Sequence, residues 1–353
     1  MGIENFKDFQ IENMKLLNSF PEFNSKEIDF SRLKFDDKIG KAVFNFNGGF
    51  DVKDIVKALR EKPELMEYFQ KTGDYNDKFL VYNDAYFNDG FFVKIDKSGE
   101  FNLDVNSDKK AVIRNLIIVE ENIEAKVFVR VSGKGEINLV NIIFVKENGS
   151  CKFGFLQCSE GVVVVFNKGV VNDNGKLDVY SANFGFGLKK CCNENYLLGQ
   201  KSCGNIFDIF FCNKSEMDIN SRVYCKNSDN KSFLLAKGMA KNKGTVCFEG
   251  YSKIDKNVRN IDLFVKEQGV VLDKDSRIHL IPNLEIESND VKAGHAASVE
   301  LFDEEKLFYM QSRGLSEEES KRLLIEGFFL SILDKVEILE MRNEILNFIK
   351  IKK

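Results

Sequence analysis

Short runs of apolar and β-branched residues dominate the middle of the chain. Between Phe79 and about Val299 these runs are rich in Val, Ile and Phe, and Gly, Asn, Asp and Ser separate them. Clear examples are the segments 111–119, 126–131, 137–145 and 161–166. No long helical period interrupts them, so the pattern predicts an all-β core. It leaves a sandwich, a barrel and a coiled parallel β-helix open.

Helical periodicity is confined to the two ends of the chain. An apolar stripe over residues 52–56 and Leu59, with Pro21 and Pro63 as breakers, predicts a mainly helical start. We therefore divide the chain into an N-terminal helical region (1–76), a β core (77–299) and a C-terminal helical region (300–353).

The C-terminal region carries the clearest helix signals. Asp303 can cap a helix that ends at Arg313, where Gly314 suits a left-handed C-cap. Ser316 and Glu319 form a capping box for a second helix. Its apolar face comprises Leu323, Leu324, Phe328, Ile332, Val336 and Leu339. This helix pair is predicted either to close the open end of the β core or to form a docking surface.

Composition narrows the class of protein. The formal net charge of -4 gives no reason to expect a nucleic-acid partner, and no apolar run long enough for a membrane span occurs. Eight cysteines without a signal peptide predict a cytoplasmic protein whose thiols stay reduced. No CxxC pair and no GxxxxGK[ST] phosphate loop is present, so neither a permanently bound metal nor nucleotide binding is expected.

The segment 289–326 resembles the C-terminal signature of the SufB/SufD family of iron-sulfur cluster assembly scaffolds. The matching residues are Asp290, Val291, Lys292, Gly294, His295, Ala296, Glu305, Leu307, Phe308, Tyr309, Gln311, Ser312, Arg313 and Gly314. Weaker similarity extends upstream to Asn83, Ala85, Asp89, Gly90, Gln157, Phe248, Gly250, Pro282, Leu284, Glu285 and Ile286. The resemblance thus covers most of the chain.

This resemblance implies a right-handed parallel β-helix flanked by helical regions, and a non-catalytic scaffold in SUF-type cluster assembly. Such a scaffold pairs with a SufB-like protomer, or with itself as a dimer, and recruits a SufC-type ABC ATPase that alone uses ATP. A nascent iron-sulfur cluster is held transiently, and flavin binding stays open. One alternative is a self-sufficient homodimeric SufB-like scaffold. Another is a cytosolic β-helix enzyme acting on carbohydrate through paired carboxylates.

The resemblance also assigns candidate site residues. It places His295 at the seam between two protomers, as a cluster ligand or sulfur-handling group, although a lone histidine can equally be structural. SufB-type scaffolds have Glu where this chain has Ala296, and Cys where it has Glu267, so the chain is more SufD-like. Glu267 is either an oxygen ligand to iron or a solvated strand residue. The region that binds SufC in the family contains Phe308, Tyr309, Gln311, Arg313 and Gly314.

Cysteine spacing suggests a further hypothesis. Cys203, Cys225 and Cys247 are evenly spaced, at an interval that falls within the repeat lengths of solenoid proteins. These thiols are predicted to stack on successive coils and pass sulfur toward His295, or simply to fill the core. The neighbours Cys191 and Cys192 must point to opposite faces of a strand, so one of them is expected to be exposed.

Overall fold

The protein is a parallel β-helix of about eight turns, with helices at both ends and 50% of its residues in strands. The computed structural model describes residues 6–19, 28, 30, 39–70 and 77–351. The β-helix implied by the family resemblance is confirmed, and the sandwich and the barrel are excluded.

The described residues contain seven α-helices and eighteen strands. The helices are α1 (Phe6–Ser19), α2 (Ile55–Glu61), α3 (Met66–Gln70), α4 (Lys78–Tyr86), α5 (Glu304–Ser312), α6 (Glu317–Leu333) and α7 (Leu339–Ile351), with a 3-10 turn at Pro63–Leu65. The strands are β1 (Val43–Asn47), β2 (Val52–Asp54), β3 (Phe91–Ile95), β4 (Gly99–Asn106), β5 (Ala111–Val119), β6 (Glu124–Ser132), β7 (Ile137–Val145), β8 (Ser150–Gln157), β9 (Val163–Val171), β10 (Lys176–Asn183), β11 (Gly187–Leu197), β12 (Cys203–Asn213), β13 (Ser215–Cys225), β14 (Lys231–Lys241), β15 (Thr245–Ile254), β16 (Ile261–Val271), β17 (Arg277–Ile286) and β18 (Val291–Leu301).

From β3 onward, successive strands alternate between two nine-stranded sheets. Sheet A has the order β1-β4-β6-β8-β10-β12-β14-β16-β18, and sheet B has the order β17-β15-β13-β11-β9-β7-β5-β3-β2. From β3 onward all pairs are parallel, while β1 and β2 pair antiparallel with β4 and β3. Asn115 pairs with Asn141, 26 residues later, which gives the length of an early coil. Later coils are longer, since Lys253 pairs with Glu285, 32 residues on.

Asparagine makes one of the corners of each early coil. Asn122, Asn148 and Asn174 occupy the left-handed region, with φ of 61°, 53° and 54°. Asn tolerates positive φ better than other residues with a side chain, because its short amide can bond locally. The same corner therefore recurs once per coil and keeps neighbouring coils in register.

Three apolar layers bury the two faces of each sheet up to its last coils. The interior of the β-helix holds alternate strand residues such as Ile113, Val165 and Phe248. The outer face of sheet B packs under α1, α2, α3 and α4, and the outer face of sheet A packs under α6 and α7. Buried ion pairs fix the first of these helical layers: Arg114 binds Asp84 of α4, and Lys190 Nζ lies 3.3 Å from Asp77.

Both ends of the chain differ in part from the sequence pattern. The apolar stripe at 52–56 forms β2 and the start of α2, and α4 lies inside the segment predicted as β. At the C-terminus the predicted helix caps are confirmed, but the apolar face predicted to run through Val336 and Leu339 is interrupted, because α6 ends at Leu333 and Leu339 begins α7. Asp303 caps α5, Gly314 has φ +97°, and the Ser316–Glu319 capping box begins α6.

The C-terminal helices do not close the end of the solenoid. Phe329 and Ile332 of α6, with Met341 and Ile345 of α7, pack sideways on sheet A against residues such as Tyr180. The predicted pair corresponds to α5 followed by α6 and α7, and its interpretation as an end cap is wrong. α5 has no buried residue, and the apolar faces of α6 and α7 pack on the outer face of sheet A. The terminal strands of the last coil, β17 and β18, therefore keep an unpaired edge each within the described chain.

Candidate functional site

The final coil presents two sheet edges that no strand of the described chain covers. β18 is the last strand of sheet A and β17 is the last of sheet B. Four large apolar side chains are exposed on these two strands. The exposed fractions are 41% for Ile281, 43% for Ile286, 46% for Val299 and 76% for Leu301. Unpaired edges with apolar side chains are characteristic of surfaces that pair with another chain.

His295 lies in the middle of this end surface. Its neighbour in register is Val265, which points into the interior of the β-helix, so the imidazole shares the inward-facing side of β18. It is nevertheless exposed, because the described chain has no further coil above it. The histidine is therefore positioned to contact a ligand or partner at this end.

Glu267 lies one strand below the edge and is fully buried. It pairs with Ala297, two residues beyond His295 on the same face of β18, which places its Cα roughly 8 Å from that of His295. Neither carboxylate oxygen makes a well-formed hydrogen bond within the described residues. Burial raises the pKa of Glu267 to about 8, and the nearby Gly250 amide offsets this only in part. The interpretation as a solvated strand glutamate is wrong, because the side chain points into the core.

A second buried carboxyl continues inward from Glu267. Asp208 lies two strands away on sheet A, with Ala236 between them in the register. Its oxygens accept from Ser221 Oγ at 2.7 Å and from Asn193 Nδ2 at 2.8 Å. Burial raises the pKa of Asp208 to about 7, against the lowering effect of these hydrogen bonds. The carboxyls of Glu267 and Asp208 thus both face the interior of the β-helix near its open end, and both are neutral or only partly charged near pH 7.

A ladder of four asparagines leads to Asp208 through the core. Asn115, Asn141, Asn167 and Asn193 lie on consecutive coils, and each Nδ2 donates to the next Oδ1 at 2.8 Å. The last amide donates to Asp208, so all the side-chain dipoles point the same way. The predictions from sequence did not include this polar axis. Asparagine recurring at intervals of 26 residues was the signal that could have found it.

The three evenly spaced cysteines do not stack. Cys203 lies on β12 in sheet A, whereas Cys225 and Cys247 lie on β13 and β15 in sheet B, and neither of these two pairs with the other. The stacking hypothesis is wrong because a coil takes from 26 to 32 residues. The shorter interval between the cysteines does not return to the same position on the coil. Cys225 is buried, and burial raises its pKa to about 12.

Cys191 and Cys192 point to opposite faces, as expected for neighbours on a strand. Both are buried, however, because Cys191 enters the interior core and Cys192 lies under the N-terminal helices. The expectation that one of them is exposed was wrong. It assumed a sheet with one solvated face, and helices cover the outer face of this sheet.

The family motif on α5 is fully accessible. The exposed fractions are 73% for Phe308 and 57% for Tyr309, and no residue of α5 is buried. The Arg313 guanidinium lies 5.1 Å from the centre of the Tyr309 ring, and Gln311 and Gly314 are also exposed. A helix that leaves two large aromatic rings exposed to solvent is more typical of a binding surface than of a purely structural element.

Within the described residues, no three or more His, Cys, Asp or Glu side chains converge in a way that could hold a metal ion. The same part of the chain contains no helix long and apolar enough to cross a membrane.

The fold and its open end define a solenoid scaffold with an accessible imidazole at one end, and comparison with known proteins gives its family. The SUF system FeS cluster assembly SufBD core domain matches residues 102–328, from β4 into α6. The chain therefore belongs to the SufBD family of iron-sulfur cluster assembly proteins. This membership does not favour the carbohydrate-active alternative.

Curated relatives agree with the domain match. The chain is 28% identical over 297 residues to an iron-sulfur cluster assembly SufBD family protein of Staphylococcus epidermidis. It is 28% identical over 298 residues to one of Staphylococcus haemolyticus, and 27% identical over 297 residues to one of Staphylococcus aureus. Each alignment covers 79% of this chain and 64% of the relative. The chain thus spans a little less than two thirds of the length of these proteins.

Proposed function

We propose that this chain is a SufD-like scaffold component that forms a seam with a second SufB/SufD-type protomer through the edges of β17 and β18. The open final coil is the observation that carries this proposal. It combines two unpaired strand edges, an apolar surface and an exposed imidazole. The second protomer is either SufB-like or an identical chain.

A transient iron-sulfur cluster at this seam needs ligands from both protomers. This chain offers His295 at the surface, and Glu267 beneath it as an oxygen donor once its carboxyl loses its proton. A carboxylate and an imidazole can bind iron, but neither replaces the soft thiolates that hold finished clusters firmly. The arrangement therefore favours a scaffold that contributes a labile ligand, which supports a SufD-like rather than a self-sufficient SufB-like role.

The ATPase partner is proposed to dock on α5. Phe308, Tyr309, Gln311, Arg313 and Gly314 match the family motif and are accessible on and just after a helix that has no buried residue. A SufC-type ATPase would supply all ATP hydrolysis, in the cytoplasm, while this chain remains non-catalytic. Nucleotide-dependent movement of the docked ATPase can change the pairing of two scaffolds only if its contacts differ between the open and closed states.

The seam is tested by measuring oligomeric state. Val299→Asp and Leu301→Lys place charges on the exposed final strand, so both variants should fold normally but lose dimerisation, or co-purification with a SufB-like protein. Light scattering after gel filtration measures this. Ile11→Asp is the matched control, because Ile11 is equally apolar and 41% exposed but lies on α1. Unchanged assembly of both seam variants would eliminate the proposed interface.

The ligand role and the docking role need separate experiments. His295→Ala should slow reconstitution and transfer of a cluster by the assembled complex, whereas Lys15→Ala, an exposed change on α1, should not. Phe308→Asp combined with Tyr309→Asp should abolish co-purification with the ATPase and leave the seam intact. Wild-type cluster transfer by the histidine variant would remove His295 from the site.

A further inference from the structure

The helix α6 is divided at Gly327 into two parts that differ in burial. After this position Phe329, Ile332 and Leu333 are buried against sheet A, whereas Ser320 is the one buried residue of the described helix before it. The second part of α6 is therefore anchored by packing. The first part has little packing that holds it in one position.

Neither the backbone nor the packing of α6 requires a glycine at position 327. Gly327 is helical, without a positive φ, and a Cβ there would meet no atom of the described chain within 4 Å apart from its chain neighbours and the backbone of its own helix. Glycine inside a helix is unfavourable relative to alanine, because it loses more backbone freedom on folding. What it provides at this position is a place where the helix can bend.

A lysine of sheet A fixes the chain immediately after the glycine. The Lys237 ammonium on β14 donates a hydrogen bond to the Phe328 carbonyl oxygen at 2.9 Å and lies 4.7 Å from the centre of the Phe328 ring. Lys237 is itself buried. The anchored part of α6 thus begins one residue beyond Gly327, so bending is concentrated at the glycine.

An open cavity of about 970 Å³ separates the first part of α6 from the end of sheet A. Ile325 lines this cavity from the helix. Leu272 and Phe302, which directly follow β16 and β18, line it from the sheet. Apolar side chains that face water favour a conformation in which they meet. Bending at Gly327 would bring Ile325 toward the other two.

The segment 304–326 has a second fixed point at its other end. Phe302 and Asp303 connect β18 to α5, and the Phe302 amide donates to the Val271 carbonyl oxygen at 2.9 Å. The segment therefore runs as a strap between Phe302 and Phe328, with free space beneath it. It carries α5, the surface proposed for the ATPase, and it continues from β18, the edge proposed for the second protomer.

We propose that this strap closes over the cavity by bending α6 at Gly327. In the closed conformation Ile325 packs against Leu272 and Phe302, and in the open conformation, which the structure shows, these side chains are apart. The inference goes beyond the proposed function, because the bending is a property of the free chain. A docked ATPase would shift the balance only through contacts that differ between the two conformations.

Fluorescence quenching tests the closure. The chain contains no tryptophan, so Phe302→Trp introduces a single reporter into the cavity wall of the full-length chain. Adding Gly327→Ala should stiffen α6 in its open conformation and raise the acrylamide quenching constant of the reporter about twofold. Adding Ser331→Ala instead is the matched control. It raises helix propensity at an exposed position in the anchored part of α6 and should leave the quenching constant unchanged.

A second measurement needs no reporter. Lys321 lines the cavity from α6 and Lys241 lines it from β14, so a short amine-reactive cross-linker should join them more often when the strap closes. Peptide mass spectrometry should find about half as much of this cross-link in Gly327→Ala as in the wild-type chain or in Ser331→Ala.

The inference would be overturned by a quenching constant that does not rise in Gly327→Ala, or by a cross-linking yield that does not fall, in a variant with an intact thermal transition. Both measurements use the chain without its partners. Failure of the ATPase to bind α5 would count against the proposed function but would leave both results unchanged, so the two failures are distinguishable.

Discussion

Gly250 leaves the space that the Glu267 carboxyl occupies inside the β-helix. A Cβ at position 250 would lie 2.3 Å from Glu267 Oε1 and 3.0 Å from Val265 Cγ1. The glycine on sheet B and the glutamate on sheet A therefore depend on each other across the interior. This relationship explains how a large polar side chain fits into a core one coil below the open end.

The Gly250–Glu267 relationship predicts a strong energetic coupling. Gly250→Ala should lower the free energy of unfolding by about 1–3 kcal/mol, because the core cannot accept the added methyl group without displacing the carboxyl. In a Glu267→Ala background the same change should cost at least about 1 kcal/mol less. Chemical denaturation of the four variants in a double-mutant cycle measures the coupling. Additive effects would contradict the packing described above.

The two buried carboxyls predict stability that falls as the pH rises. The pKa of Glu267 is raised from 4.5 to about 8 and that of Asp208 from 3.8 to about 7, so the folded chain holds these protons more tightly than the unfolded chain. The stabilisation from these groups is therefore fully present below about pH 4 and is lost progressively up to about pH 8.

Glu267→Gln removes one of the two titrating carboxyls. Between pH 5 and pH 8 it should abolish about 2–4 kcal/mol of the pH-dependent loss, as measured by urea unfolding at several pH values. Glu300→Gln, on the exposed face of β18, serves as the control and should keep the wild-type slope. A slope that Glu267→Gln leaves unchanged would mean that this carboxyl is charged in the folded chain at pH 7.

The asparagine ladder predicts a high cost for removing an internal amide. Asn141→Ala leaves Asn115 without its acceptor and Asn167 without its donor, both in the core. We expect it to cost about 2–4 kcal/mol, the sum of two broken buried hydrogen bonds. Asn45→Ala, on the exposed strand β1, should change stability by less than about 0.5 kcal/mol. Thermal or urea unfolding of the two variants gives the comparison, and equal effects would argue against the ladder.

The C-terminal helices predict opposite outcomes for two phenylalanines. Phe329 is fully buried between α6 and sheet A, whereas Phe308 on α5 is 73% exposed. Phe329→Ala should cost about 3–5 kcal/mol, while Phe308→Ala should be nearly neutral for stability. If α5 is the docking surface, only Phe308→Ala weakens ATPase binding without loosening the fold. Denaturation curves and a pull-down on the same two proteins measure both quantities.

Several features were accessible from sequence because they depend on neighbouring residues. The Asp303 cap, the positive φ of Gly314 and the Ser316–Glu319 box involve groups within one helical turn, so residue identity was sufficient. The run of short apolar segments likewise indicated a β core. The length of the early coils could also have been predicted from the regular recurrence of Asn141, Asn167 and Asn193.

The amino-acid sequence by itself determined the all-β core, the start of α5 and of α6 and, through its motif, the family, but not the break between α6 and α7. Only the tertiary structure decided which residues meet. It separated Cys203 from Cys225 and Cys247, and it buried Glu267 opposite Gly250. The physical reason is that the length of a coil, from 26 residues in the early coils to 32 in the last, is set by how the coils stack, so an even spacing along the chain does not fix which residues share a face. Contacts across the interior arise only once the coils are stacked.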